Sequence, residues 1–171
     1  MKRFIAITSI LLMIVSVNAQ PMAHPTRVEN KDIYVLSIVN EEFISVGNVN
    51  LTDQEIANTN SIEERIKLFV NKASTQSFDA IMTRTGNSAT LIKYKNPTSN
   101  VTAKPTDSFE KVIYFLSTPT KKYSVIDEKI LSSEEIILPF NQLISNAIKA
   151  VNKPFDAVMI KNNKVEYLLF N

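Results

Sequence analysis

Two aspartates carry the chemistry that this sequence most readily suggests. Asp79 and Asp156 stand in matching phrases, Phe78-Asp79-Ala80-Ile81-Met82 and Phe155-Asp156-Ala157-Val158-Met159. Two carboxylates brought close together split their pKa values, so that one serves as acid and the other as base, or they ligate a hard cation. The plainer role for an Asp at the start of a strand is a hydrogen bond to the adjoining turn, and that role is expected here. Tyr34 and Tyr114 match in the same way, within Ile33-Tyr34-Val35 and Ile113-Tyr114-Phe115. Matched tyrosines can line a groove and stack on a sugar or peptide; as core residues they send only the hydroxyl to the rim. Asp79, Asp156, Tyr34 and Tyr114 are therefore the candidate binding residues. No catalytic and no metal-ligating residue is singled out.

Other polar residues have simpler readings. Asn71-Lys72 and Asn152-Lys153 suit helix ends, where Asn tolerates a left-handed backbone and Lys meets the negative end of the dipole. His24, the only histidine, lies in a Pro-flanked stretch, whereas a Ser-His-Asp arrangement needs its base on a rigid scaffold. Glu41-Glu42, Glu63-Glu64 and Glu134-Glu135 are adjacent pairs whose side chains diverge on a strand or a helix.

Composition excludes more than it assigns. The chain has no cysteine, which removes thiolate zinc sites, cysteine nucleophiles and iron–sulfur ligation. It has only two glycines, Gly47 and Gly86, too few for a loop that cradles phosphates. No cofactor is expected. Met1-Lys2-Arg3 followed by an uncharged apolar run from Phe4 to Val17 and by Val17-Asn18-Ala19 has the layout of a secretory signal peptide, residues 1–19, cleaved before Gln20. The run is shorter than the roughly 20 apolar residues of a spanning helix. The chain is thus expected in the periplasm or outside the cell, with no transmembrane segment once the signal is removed. Of 19 basic and 17 acidic residues, Lys2 and Arg3 leave with that segment, so the remainder is formally neutral. Nucleic-acid binding needs a cationic surplus and is not expected.

The elements that must hold the candidates occur twice. Lys31-Asp32-Ile33-Tyr34-Val35-Leu36-Ser37 returns as Lys111-Val112-Ile113-Tyr114-Phe115-Leu116-Ser117. Lys31 to Ile38 and Phe43 to Leu51 read as a hairpin joined through Asn40-Glu41-Glu42. Thr52-Asp53-Gln54-Glu55 and Ser132-Ser133-Glu134-Glu135 are capping boxes that open short helical turns. Ile62, Ile66, Phe69, Val70 and Ala73 form one helical stripe; Phe140, Leu143, Ile144, Ala147 and Val151 form its counterpart. A strand pair closes each copy. The expected fold is α+β: an internal duplication of a ββαββ unit, with antiparallel sheets, one main helix per unit and pseudo-twofold packing. The first unit spans 31–95 and the second 110–171. Residues 20–30 read as a mobile tail and 96–109 as a linker, and the two units together as one composite domain.

The functional expectation is an exported, non-enzymatic binding module that meets a protein or glycan partner at the seam between copies or at a sheet edge. Homo-oligomerisation is compatible with this. A carboxylate-based hydrolase of envelope glycan or peptidoglycan is the alternative, and a structural subunit of an envelope assembly is the second.

Overall fold

Left-handed turns and capping boxes set the elements of both halves. The structure, a computed structural model, describes residues 21–96 and 100–171; the expected signal segment and its cleavage site lie outside the described residues. Strand β1 (Ala23–Val28) turns through Glu29 and Asn30, both at positive φ, into β2 (Lys31–Val35), the backbone twist that tight hairpins require. Leu36, at φ 49°, then bends the chain into β3 (Ser37–Val39), and β4 (Phe43–Asn50) follows. The Thr52 hydroxyl accepts from Glu55 N, and the Glu55 carboxylate accepts from Thr52 N at 2.7 Å, which starts α1 (Asp53–Ala57). Ser61 caps α2 (Ile62–Lys72), and β5 (Ala80–Thr83) and β6 (Ser88–Tyr94) close the half.

The second half runs in the same order. It comprises β7 (Ala103–Ser108), β8 (Lys111–Phe115), β9 (Ser117–Pro119), β10 (Tyr123–Ile130), α3 (Ser133–Ile136), α4 (Phe140–Lys149), β11 (Ala157–Lys161) and β12 (Lys164–Phe170). Phe109 and Glu110 make the positive-φ turn, and Leu116, at φ 46°, makes the bend.

All the described strands join one 12-stranded sheet whose main path is β10-β12-β11-β8-β7-β1-β2-β5-β6-β4. Read from either end, each strand is exchanged for its counterpart in the other half. The β2–β5 and β8–β11 pairings are parallel, so the sheet is mixed. The halves trade strands as well: β3 pairs with β7, β9 with β1, and β2 meets β8 at Val35↔Phe115.

This topology overturns the expected ββαββ duplication. Among the described residues each half holds six strands and two helices rather than four and one main helix, and the sheet is not antiparallel throughout. The expected hairpin of the first two apolar runs is absent; β4 instead pairs with β6 at the sheet edge. The stretch read as a mobile tail contains β1, and the stretch read as a linker contains β7. Both strands, Ala-His-Pro-Thr-Arg-Val and Ala-Lys-Pro-Thr-Asp-Ser, lack apolar alternation and carry a proline that cannot donate to a ladder. Their conformation comes from tertiary partners, which local propensity does not report.

Alternation along the strands divides the apolar residues between two faces. Ile33, Val35, Ile81, Leu91, Ile113, Phe115, Val158 and Ile160 face the helices and build one cluster with residues of all four helices described. Tyr34, Ala80, Ile92 and Tyr94 point the other way and are covered by Val39, Val101 and Ala103. Tyr114, Ala157, Met159 and Leu168 do the same around Ala23. Each half's back cluster thus includes an alanine from the other half's first strand. Among the described residues, no helix is long and apolar enough to cross a membrane.

Two stability predictions follow from this local chemistry. Phe109 is 63% exposed at φ 49°, a conformation that costs most residues about 1–2 kcal/mol and Asn less. Phe109→Asn is expected to stabilise the fold by about 0.5–1 kcal/mol in urea unfolding; a lowered midpoint would refute the strain argument. The Lys72 ammonium at 2.8 Å, followed by the Thr52 N–H, holds the Glu55 carboxyl at about 2, below its ordinary 4.5. A depressed carboxyl stabilises the fold above its unfolded pKa and loses that contribution as pH falls through the folded value. The melting temperature is therefore expected to drop between pH 4.5 and 2, with a shallower drop in Glu55→Gln.

Candidate functional site

The matched aspartates do not meet. The Asp79 carboxylate accepts from Tyr94 N and the Asp156 carboxylate from Phe170 N, each at 2.9 Å. Both therefore pin the last strand of their own half to the start of the preceding one. Strands β2 and β8 touch antiparallel at their C-terminal ends, Val35↔Phe115, while Asp79 and Asp156 sit beside their N-terminal ends. Each lies about 10 Å beyond that junction, on opposite sides. Neighbouring Phe78 and Phe155 are covered by Lys31 and Lys111, whose ammonium groups lie 4.5 and 4.7 Å from the ring centres. The repeated phrase is a structural fastening.

The matched tyrosines are both buried, but in different chemistry. The Tyr34 hydroxyl lies 2.8 Å from that of Tyr94, which donates to Asp32 at 2.9 Å. Asp32 is 2% exposed and pairs with Arg27 at 2.7 Å. Burial raises the pKa values of both phenols far above their usual range, so they remain neutral donors. In the second half Val112 replaces Asp32, Phe170 replaces Tyr94, and Asp107 replaces Arg27. Tyr114 packs edge-on to Phe170, and its buried hydroxyl has no partner among the described residues. Burial pushes it to about 12. A pocket of about 270 Å³ lies beside Tyr34, bordered also by Met82 and Arg84.

The remaining polar candidates are fastenings too. Lys72 bonds Asn50 O and Glu55, while Lys153 bonds Asp127. Glu63 and Glu64 accept from the backbone N–H groups of Asn162 and Asn60. His24 is exposed in β1, opposite Thr118. Among the described residues, no group of three or more acidic or histidine side chains is placed to hold a metal ion.

The larger cavity lies at the seam, and a residue outside the matched set governs it. It has a volume of about 510 Å³. Helix α1 contributes Asp53, Ile56 and Ala57; α2 contributes Arg65; the β5–β6 turn contributes Thr85, Gly86 and Asn87; the α3–α4 connection contributes Ile137 and Pro139. Arg65 is 1% exposed. Its Nη1 donates to Leu138 O at 3.0 Å and its Nη2 to Ile136 O, both at the end of α3, and the guanidinium lies 5.0 Å from the centre of the Phe140 ring. Among the described residues, Nε is buried without an acceptor and no carboxylate forms an ion pair with the guanidinium. Burial lowers its pKa, to about 10, which leaves it charged at neutral pH. A buried charge without a counter-ion costs several kcal/mol, and two carbonyls and one ring face offset only part of that.

The second half does not reproduce this arrangement. In the stripe Ile62, Arg65, Ile66, Phe69 the counterpart series is Phe140, Leu143, Ile144, Ala147, so Leu143 stands where Arg65 stands. Each half's last turn docks on the first turn of the other half's long helix. On one side Asn163 Oδ1 accepts from Ile62 N at 3.2 Å, Asn163 Nδ2 donates to Asn60 O at 2.9 Å, and Asn162 N donates to Glu63 at 2.6 Å. On the cleft side the backbone bond from Phe140 N to Thr85 O, at 3.3 Å, makes the docking. There the turn carries Gly86 at φ 83°, and a β-carbon on it would lie 2.8 Å from Arg65 Nη1 and 2.9 Å from the Phe140 ring.

Sequence reasoning passed over Arg65. The signal was present, since it lies three residues after Ile62 and one before Ile66, on the stripe assigned to the core. Comparison with family models, with curated proteins and with solved structures finds no match to this chain.

Gly86→Ala is expected to destabilise the fold by about 2–4 kcal/mol, combining a left-handed backbone with overpacking against Arg65 and Phe140. An unchanged urea midpoint would show that this turn does not press on the guanidinium.

Proposed function

We propose that this chain is a small exported, non-enzymatic binding protein that takes a small ligand in the cleft between its halves. Arg65 carries the reading. A stripe position that Leu143 fills in the other half holds a buried, charged guanidinium with no ion-pair partner among the described residues, beside a cavity of about 510 Å³. That volume falls within the roughly 300–1,000 Å³ of small-molecule sites, and apolar walls with a few polar groups are their usual lining. The charged segment Met1-Lys2-Arg3, the apolar run after it and Ala19 support export to the periplasm or beyond, with cleavage near Ala19.

The hydrolase alternative draws little support. Glycoside cleavage needs two carboxyl groups roughly 5 to 9.5 Å apart. Asp53 is the one carboxylate among the described residues that border the cleft, and Asp79 and Asp156 are each spent on a backbone N–H. A second reading, a subunit of an envelope assembly, is favoured by one observation: the two edge strands expose Ile44 and Ile130, at 51% and 66%. Concentration-dependent sedimentation would support it.

The test of the binding reading is native mass spectrometry of the chain purified from envelope fractions, beside an Ala57→Trp variant that fills the cleft. The expected result is an amino terminus at Gln20 and a bound small mass on the unaltered chain that the variant lacks. A bare chain, or equal loading of both proteins, would remove the reading.

A further inference from the structure

We infer that the ligand of this cleft is an apolar monocarboxylate, a medium-chain fatty acid or a molecule of the same build; the inference rests on reading the cleft as a binding site. The charge on the ligand follows from Arg65. Its guanidinium is positive and buried, and among the described residues it has no ion-pair partner and its Nε lacks an acceptor. An anionic headgroup in the cleft is drawn to that charge, which is screened less by solvent than an exposed one because Arg65 itself is buried. Of the common headgroups, a carboxylate is a planar anion suited to a planar guanidinium.

The lining limits the ligand to one negative charge. Arg65 is the one cationic side chain bordering the cleft among the described residues, and Asp53 faces the same space. Two backbone donors nearby are already engaged: Gly86 N donates to Thr83 Oγ1 at 3.2 Å and Phe140 N to Thr85 O. A phosphate dianion needs several donors or a second cation, and here it would meet Asp53 instead. The body of the ligand follows from the walls apart from the turn that carries Thr85 and Asn87. Ile56, Ala57, Ile137 and Pro139 offer it no polar side-chain atom, so it gains by burying hydrocarbon.

The test is calorimetric titration of the purified chain with decanoate, decanol and decyl phosphate. Decanoate is expected to bind one to one and about tenfold or more tighter than either rival, the scale of one charge-assisted contact. Arg65→Met is expected to bring decanoate down to the affinity of decanol, provided that its circular dichroism matches the parent. Because Arg65 also ties down α3, a second variant is needed that leaves that tie alone. Asp53→Asn, which removes the repelling carboxylate, is expected to widen the decanoate-over-decanol ratio about two- to threefold. Equal binding of decanol and decanoate would overturn the carboxylate while leaving the cleft reading in place. Tighter binding of decyl phosphate would overturn the single charge. A chain that binds none of the three yet carries another mass in native spectrometry would overturn the apolar body alone. A chain that binds none and carries none loses the cleft as well.

Discussion

The fold depends on the exchange of strands between halves. Strand β1 belongs to its own half through the hairpin with β2 and to the other half through β9, and β7 repeats the arrangement with β8 and β3. What makes the exchange possible is one left-handed leucine in each half, Leu36 and Leu116. Their N–H groups are held by Thr83 O and Ile160 O at 3.0 and 2.9 Å, so a conformation that leucine adopts at a cost is overdetermined by its surroundings. The bend delivers three residues to the opposite half, and the back of each tyrosine cluster closes only with an alanine supplied from across the seam.

Against matched scaffolds, the departures between halves are informative. One half keeps the polar chain Arg27, Asp32, Tyr94, Tyr34; the other has an apolar version in which Tyr114 retains a hydroxyl that nothing among the described residues accepts from or donates to. Such an orphan costs about 1–3 kcal/mol. Arg65 and Leu143 diverge in the same sense, with the charge on the first half and the apolar side chain on the second. Both lie beside a cavity, and the functional reading settles on the second because its cavity is the larger, about 510 Å³ against about 270 Å³.

Much of the helical layer was legible in the sequence and little of the strand order. The capping boxes at Thr52 and Ser132 and the stripes of α2 and α4 are local signals, and local signals survive into the structure. The pairing of β2 with β5 in parallel, and of β4 with β6 rather than its neighbour in sequence, is set by which faces find cover, and no window of the chain contains that information. Strands β1 and β7 were invisible because Pro25 and Pro105 sit in their middle; each lies opposite a serine of the exchanged strand, Ser117 and Ser37. For the site, matching residues across copies drew attention to Asp79 and Tyr34, whose likeness to their counterparts reflects shared scaffolding. Arg65 was to be found by the opposite search, for a residue that breaks the match.

The placement of β1 also sets when the polypeptide can finish folding. His24 closes on Thr118, and Ala23 on Pro119, so the earliest strand made must wait for one from the later half. Contacts so distant along the chain slow folding. Until the second half has been made, neither back cluster can close, since each needs an alanine from across the seam.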